Sequence, residues 1–286
     1  MKKNAQSRIV PGIRSRYYGM YAYGGRRTTE GMPVRRLHFI EGEPGCRFAR
    51  ERGCAAVIVD ALRASATAAM LLEAGAVQLH IVAEVEAARA ARAADPEALL
   101  AGERNCVPLE DFDLGNSPRE TAAARGRRVV FSTTTGAGRM VSAWGAPAVC
   151  MGTCVNAAAV AEYLERMDRE AVLIPAGLLH DPQFEAQEDR AAAAYLGTVA
   201  GGVTGEGAAV WRHWAERVER EGLDTLFQQA PHAEKLRRAG LEADIAASAR
   251  VDWTRCVPVA MARTQWGVLV RDGANGRAAV RSRLEP

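Results

Sequence analysis

Ala55-Ala-Val-Ile-Val-Asp60-Ala-Leu-Arg63-Ala-Ser65-Ala-Thr67-Ala-Ala-Met-Leu-Leu-Glu-Ala74 decides the fold. Residues 55–59 are apolar without interruption, and 66–74 carry small and apolar residues at helical spacing. A strand with one wet face alternates polar and apolar residues, whereas an unbroken apolar run fits a strand covered on both faces. Such a strand feeding a helix is half of a βαβ crossover. The unit recurs: strand-like runs at 77–82, 128–131, 147–151 and 171–174 alternate with helical stretches at 84–94, 118–125, 155–167 and 185–200. The pattern predicts an α/β protein with a largely parallel sheet covered by helices on both faces. After the turn-rich break at 201–207, helices are predicted at 208–221, 232–239 and 241–249. Two final runs, 257–261 and 267–271, read as a hairpin closing one edge of the sheet.

Composition narrows the function classes. The 286 residues are 48% hydrophobic and 25% charged, and 37 basic against 34 acidic residues leave a formal charge of +3. That balance argues against a nucleic-acid-binding or membrane-surface protein. Only Lys2, Lys3 and Lys235 are lysines; every other basic residue is arginine, the better bidentate partner of phosphate and carboxylate. Six cysteines form no Cys-x-x-Cys pair, and Cys150-x3-Cys154 has no neighbouring histidine, so buried free thiols in a reducing cytoplasm are expected. No apolar leader or membrane-length apolar run is visible, and a cytoplasmic location is the expectation. Residues 1–34 hold four of the six tyrosines among glycines and arginines without strand or helix period. They read as an N-terminal arm, flexible or oligomer-embracing, ahead of a single domain over 35–286. The competing reading is an aromatic, basic segment that stacks on RNA bases.

In an open parallel sheet, ligands bind beyond the carboxyl ends of the strands. Those ends carry Asp60, Arg63, Ser65 and Thr67 after 55–59; Ser132, Thr133, Thr134, Thr135, Gly136 and Arg139 after 128–131; Asn156 after 147–151; and Gly177 after 171–174. Gly102-Glu103-Arg104 closes another apolar segment. Hydroxyls and amides leading into a helix suit an anion, and Arg63 and Arg139 could add bidentate contacts. Asp60, with Glu185, Glu188 and Asp189 at the opening of a helix, offers the hard oxygens that Mg²⁺ uses beside phosphate. Each feature also has a plain structural reading, as an N-cap or a solvated first turn. Familiar phosphatase signatures are missing: Asp60 starts no Asp-x-Asp pair, and Cys46-x5-Arg52 lacks the glycines of a phosphate-wrapping loop. Gly136-Ala137-Gly138 lacks the remaining signals of a dinucleotide site.

Taken in order, Asp60 through Thr67, Gly102-Glu103-Arg104, Phe112-Asp-Leu-Gly-Asn-Ser-Pro118, Ser132 through Gly136, Gly152 with Asn156, Ala176-Gly177 and Glu188-Asp189 resemble the ComB family, the 2-phosphosulfolactate phosphatases. The resemblance spans about residues 35–270, and the segments His232 to Asp244 and Asp252 to Val259 follow it too. It implies a three-layer α/β/α fold with a large mixed, mostly parallel sheet. It also implies a Mg²⁺-dependent phosphatase acting on a small phosphorylated 2-hydroxy acid, and it leans with the arm toward a homodimer. Carried onto this chain, the catalytic residues are Asp60, Asp189 and Arg63. Phosphate or substrate binding falls to Ser65, Thr67, Asn116, Ser117, Thr133, Thr134, Gly136, Arg139, Asn156, Gly177 and His232. Asp60, Glu103, Glu188 and Asp189 are the metal candidates. Ala66, Thr135, Ala137 and Ala233 depart from the family pattern, which points to an altered pocket wall and keeps a different anionic acid in sulfonate or phosphonate metabolism as the alternative.

Overall fold

The unbroken apolar runs become the centre of a ten-stranded sheet. A computed structural model describes residues 36–274 apart from 180 and 182, so the arm expected over 1–34 lies outside the described residues. The strands are β1 (Leu37–Phe39), β2 (Ala55–Val59), β3 (Gln78–Val82), β4 (Leu99–Arg104), β5 (Val107–Pro108), β6 (Arg128–Ser132), β7 (Val149–Met151), β8 (Ala171–Pro175), β9 (Pro258–Arg263) and β10 (Gly267–Asp272). The helices are α1 (Gly42–Arg52), α2 (Ala64–Glu73), α3 (Val85–Ala94), α4 (Gly136–Ser142), α5 (Ala157–Met167), α6 (Gln187–Val199), α7 (Ala208–Glu221), α8 (Leu223–Gln228), α9 (Pro231–Arg238) and α10 (Glu242–Ser248).

Side chains alternate across each strand, and the two cores show it. Ala55, Val57 and Val59 of β2 join Leu173 of β8 in a core built with α5 to α10. Ala56 and Ile58 join Val172 and Ile174 in a second core with α1, α2 and α4. Each fully buried Val or Ile contributes about 1.5–3 kcal/mol, and both faces of β2 are used, which is why no polar residue interrupts it.

The strand order is β1-β8-β2-β7-β9-β10-β3-β6-β4-β5. β1, β8, β2 and β7 are parallel, as are β3, β6 and β4. The β9–β10 hairpin therefore does not close an edge; it lies between the two parallel halves, antiparallel to β7 and to β3. Its inward residues explain the position, because Val268 and Val270 are fully buried, as a central strand requires. The helix expected over 118–125 is also corrected, to a 3₁₀ turn at Ala122–Ala124. Pro118 and Gly126 leave too few residues between them to nucleate an α-helix.

Three antiparallel junctions separate β7 from β3, so the two parallel halves run in opposite senses. Twist of roughly 20–25° at each of the junctions from β2 to β6 turns their axes by roughly 100–125°. The halves thus cross steeply, and the β7–β9 junction is a single registered pair, Cys150 with Val259. Carboxyl ends from both halves can then line one cleft.

Candidate active site

That cleft encloses about 480 Å³, its open mouth included, and is lined by Asp60, Leu62, Arg63, Glu103, Asn105, Cys106, Asn116, Thr134, Thr135, Leu178, His232 and Lys235. Asp60 follows β2 and is held from three sides. Its amide donates to Ser65 Oγ (3.0 Å), its Oδ1 accepts the Ala64 amide (3.1 Å), and Ser65 Oγ donates to the Ile58 carbonyl (3.0 Å). Oδ2 accepts no hydrogen bond among the described residues. Gly136 is required beside it, because a Cβ there would stand 2.7 Å from Asp60 Oδ2 and 2.6 Å from Ala64 Cβ. Burial pushes the Asp60 carboxyl up to about 6; Glu103 and Glu188 push the same way, against His232 and the Ala64 amide.

The four metal candidates divide by what their oxygens already do. Asp189 Oδ1 and Oδ2 accept the amides of Ala61 (2.7 Å) and Gly177 (3.1 Å), tying the loop after β8 to the loop after β2. Burial, then the charges of Glu188 and Asp60, hold its carboxyl well above the usual range. Glu103 Oε1 accepts the Thr134 amide (2.9 Å), and Oε2 accepts the Cys106 amide (2.7 Å) and Thr134 Oγ1 (3.0 Å). Glu188 is fully buried, with Oε1 on His232 Nδ1 at 2.5 Å and Oε2 without a partner. Asp60 Oδ2 and Glu188 Oε2 are therefore the free hard oxygens. Mg²⁺ bound to substrate phosphate needs one or two carboxylates plus water, and the donor set fits it. Burial works against the charged form of His232, but the Glu188 bond and the charges of Glu188 and Asp60 more than offset it, so its pKa is raised.

Arg63 enters the cleft from the loop after β2, with 2% of its side chain exposed, and its Nη1 meets Asp244 Oδ2 of α10 at 2.6 Å. Its Nη2 donates to the Cys106 carbonyl (3.2 Å), and Asp244 Oδ1 accepts Ser117 Oγ (2.7 Å). Asn105 and Cys106, both at positive φ, form the two-residue turn between β4 and β5. A primed hairpin turn demands that geometry, and it aims the Cys106 amide at Glu103 and its carbonyl at Arg63.

Six of the sequence candidates line the cleft: Asp60, Arg63, Glu103, Asn116, Thr134 and His232. Ser65, Ser117, Gly136, Gly177, Glu188 and Asp189 stand behind them through the contacts given above. Thr133 Oγ1 accepts the Ala137 amide (3.1 Å) at the start of α4. Three candidates lie outside the cleft lining. Arg139 Nε donates to the Ala176 carbonyl (3.0 Å) and its Nη1 lies 3.6 Å from Glu43, so it ties α4 to the end of β8. Asn156 accepts the Thr153 amide (3.0 Å) and donates to the Cys256 carbonyl (2.9 Å). Thr67 is buried in α2 with no partner for its hydroxyl. Within 132–136, the Thr134 amide and hydroxyl both serve Glu103. Of the departures from the family pattern, Thr135 reaches the cleft, whereas Ala66, Ala137 and Ala233 are fully buried. Sequence reasoning missed Asp244, Cys106 and Lys235; for Lys235 the signal was its rarity in an arginine-dominated chain.

At the opposite ends of β2 and β8, ligand atoms of His38, Cys54 and Glu170 lie within 4.8 Å of one another, the one such grouping among the described residues. His38 Nδ1 accepts the Glu206 amide (2.9 Å), which puts the ring hydrogen on Nε2, 3.5 Å from Glu170 Oε2. That nitrogen has no lone pair to offer a metal.

Residues 46–263 match the protein family described as 2-phosphosulpholactate phosphatase. Curated relatives carry the name "Probable 2-phosphosulfolactate phosphatase". That of Deinococcus radiodurans is 36% identical over 212 residues, covering 71% of this chain and 86% of the relative. That of Gloeobacter violaceus is 33% identical over 239 residues, covering 81% and 93%. That of Carboxydothermus hydrogenoformans is 39% identical over 142 residues, a match spanning 50% of this chain and 58% of that protein.

Proposed function

The chain belongs to the 2-phosphosulpholactate phosphatase family, and from that premise we propose that it is a Mg²⁺-dependent phosphatase that hydrolyses 2-phosphosulfolactate to sulfolactate and phosphate. The observation that carries the reading is a pair of carboxylate oxygens without a hydrogen-bond partner among the described residues: Asp60 Oδ2, on a residue that lines the cleft with Arg63, Thr134 and His232, and Glu188 Oε2, buried behind that lining. Those two oxygens would hold Mg²⁺, which when bound polarises phosphoryl oxygens and lowers the pKa of water.

The chain's own groups supply the rest. Arg63 is anchored by Asp244 and by Cys106, so its remaining N–H donors face a phosphoryl oxygen from a fixed position. Glu103 fixes Thr134 by accepting from both its amide and its hydroxyl. Glu188 occupies His232 Nδ1 and leaves Nε2 to donate its hydrogen to the ester oxygen as the P–O bond breaks. Water delivers OH to phosphorus and its remaining proton returns to His232 Nε2, and the 2-hydroxyl of the acid leaves protonated. Asn116 Oδ1, buried in the wall without a partner, is available to a substrate donor or a bound water.

The test is phosphate release from 2-phosphosulfolactate and 2-phospholactate with Mg²⁺ and with EDTA. Metal-dependent turnover of the first substrate is expected. Absence of metal-dependent turnover on either refutes the proposal, and turnover of 2-phospholactate alone redirects it to another 2-hydroxy acid, the direction in which Thr135 at the cleft would count.

A further inference from the structure

Lys235 is the only lysine within residues 36–274, in a chain where lysine supplies just three of 37 basic residues. It is exposed at the rim of the cleft and lines it together with His232, one turn away on the same face of α9. The two cationic side chains of the wall differ in what meets their charge. Arg63 is neutralised by Asp244 at 2.6 Å. Lys235 makes no ion pair among the described residues; its Nζ lies 4.7 Å from the centroid of the Phe184 ring. The same ring packs against His232 at 4.8 Å. An aromatic face attracts an ammonium without consuming its charge or its N–H donors. Phe184 thus holds beside His232 a cation that still has its charge to offer.

The cleft is bipolar in consequence. Its floor carries the free acid oxygen of Asp60, with that of Glu188 buried behind it, suited to metal and phosphoryl, and its rim carries an uncompensated ammonium. A substrate with no charge beyond its phosphoryl group would leave Lys235 without a role. A strong acid group one or two carbons from the ester oxygen would reach toward it. The residue type fits as well: an ammonium is a compact charge with three rotatable donors, whereas a guanidinium is a planar fork matched to flat carboxylates. A sulfonate presents three equivalent oxygens and no plane.

We propose that Lys235, held over Phe184, is a specificity-determining residue that binds the acid group of the substrate that is not transferred. The assignment rests on the phosphatase reading above and names what its substrate must carry: a second anionic group, beyond the phosphoryl, placed at the rim.

The experiment measures kcat and KM of the full chain and of Lys235→Met and Lys235→Arg on 2-phosphosulfolactate, 2-phospholactate and phenyl phosphate, which has no second acid group. Lys235→Met is expected to raise KM for 2-phosphosulfolactate by roughly tenfold to a hundredfold, the range for a charge-assisted bond. The ratio of kcat/KM for that substrate to that for phenyl phosphate falls in step, with kcat moving less than KM, and Lys235→Arg recovers most of the loss. A loss on 2-phosphosulfolactate alone assigns the sulfonate, and a loss shared with 2-phospholactate assigns the carboxylate. An equal loss on phenyl phosphate, a loss carried by kcat, or an unchanged KM overturns the assignment. Calorimetry with sulfolactate, which has no phosphoryl group, separates this from failure of the phosphatase reading. If the wild type releases no phosphate, sulfolactate bound roughly tenfold more weakly by Lys235→Met than by the wild type sustains Lys235 alone. Equal binding, or none to the wild type, overturns it.

Discussion

Asp244→Ala probes the site through a residue outside the cleft lining. Arg63 and Asp244 are each 2% exposed and meet at 2.6 Å across 181 residues of chain. Removing the carboxylate leaves a buried guanidinium without counter-charge, which costs about 3–5 kcal/mol. Ser117 Oγ loses its acceptor at the same time, for about 1 kcal/mol more. The expected loss, about 4–6 kcal/mol, is a large share of the stability of an ordinary domain. Removing both charges in Arg63→Met/Asp244→Leu leaves no unpaired ion, so the double variant is expected to recover most of that loss. Urea unfolding followed by tryptophan fluorescence at pH 7 reads the shift in midpoint at constant slope. The double variant also lacks the guanidinium of the cleft, so phosphate release is lost although the fold returns. Single variants costing less than about 1 kcal/mol, or a double variant whose cost is the sum of the two, would refute the pair as the tie between α10 and the loop after β2.

Other outcomes follow from the same geometry. Gly136→Ala puts a Cβ 2.7 Å from Asp60 Oδ2, and is expected to cost about 1–3 kcal/mol with loss of turnover. Gly138→Ala in the same helix meets only Leu179 at 3.6 Å and gains up to about 1 kcal/mol; thermal midpoints and phosphate release compare the two. Mg²⁺ titrated by calorimetry and by thermal midpoint should lose its effect in Asp60→Asn and Glu188→Gln. Asp189→Asn and Glu103→Gln should instead lower the midpoint with or without Mg²⁺, because each weakens bonds to backbone amides. The sign of the pH dependence follows from the Asp60 carboxyl, raised from 3.8 to about 6. The metal-free folded state keeps a proton that the unfolded chain releases, so this contribution to stability is present below about pH 4 and lost as pH rises through about 6. A cation favours the charged form, so the Mg²⁺-induced rise in midpoint is expected to be larger at pH 7 than at pH 4.5, and an equal rise at both would argue against Asp60 as a ligand.

The sheet was legible wherever burial wrote an unbroken apolar run, as in β2 and β8, because a strand covered on both faces has no room for a polar residue. The hairpin was legible as a hairpin but not in its place. Residues 257–261 and 267–271 report local pairing, whereas the junctions to β7 and β3 are contacts between distant segments that no local pattern encodes. β1, three residues long, and α8, six residues long, went unseen for a related reason: each is too short to show a period.

The site divides along the same line. Position after a strand end drew attention to Asp60 and Thr134, and position at the end of β4 to Glu103; all three line the cleft, because the backbone leaves the sheet there and the next side chains meet solvent. The same rule drew in Arg139, which lies three residues into α4, where the turn of the helix sends the guanidinium to the Ala176 carbonyl and toward Glu43. Counting acids does not show what their oxygens already do. Asp189 and Glu103 accept the amides of Ala61, Gly177, Thr134 and Cys106, whereas Glu188 keeps one oxygen without a partner. Asp244 and Lys235 come from a helical region that the chain reaches more than 170 residues after Asp60, and only the family resemblance, through His232 and the segment up to Asp244, drew attention there. Rarity was a further clue to Lys235. Where arginine fills almost every basic position, a lysine at the rim of the cleft is a choice of chemistry, and the proposed role of Lys235 toward a second acid group rests on that choice.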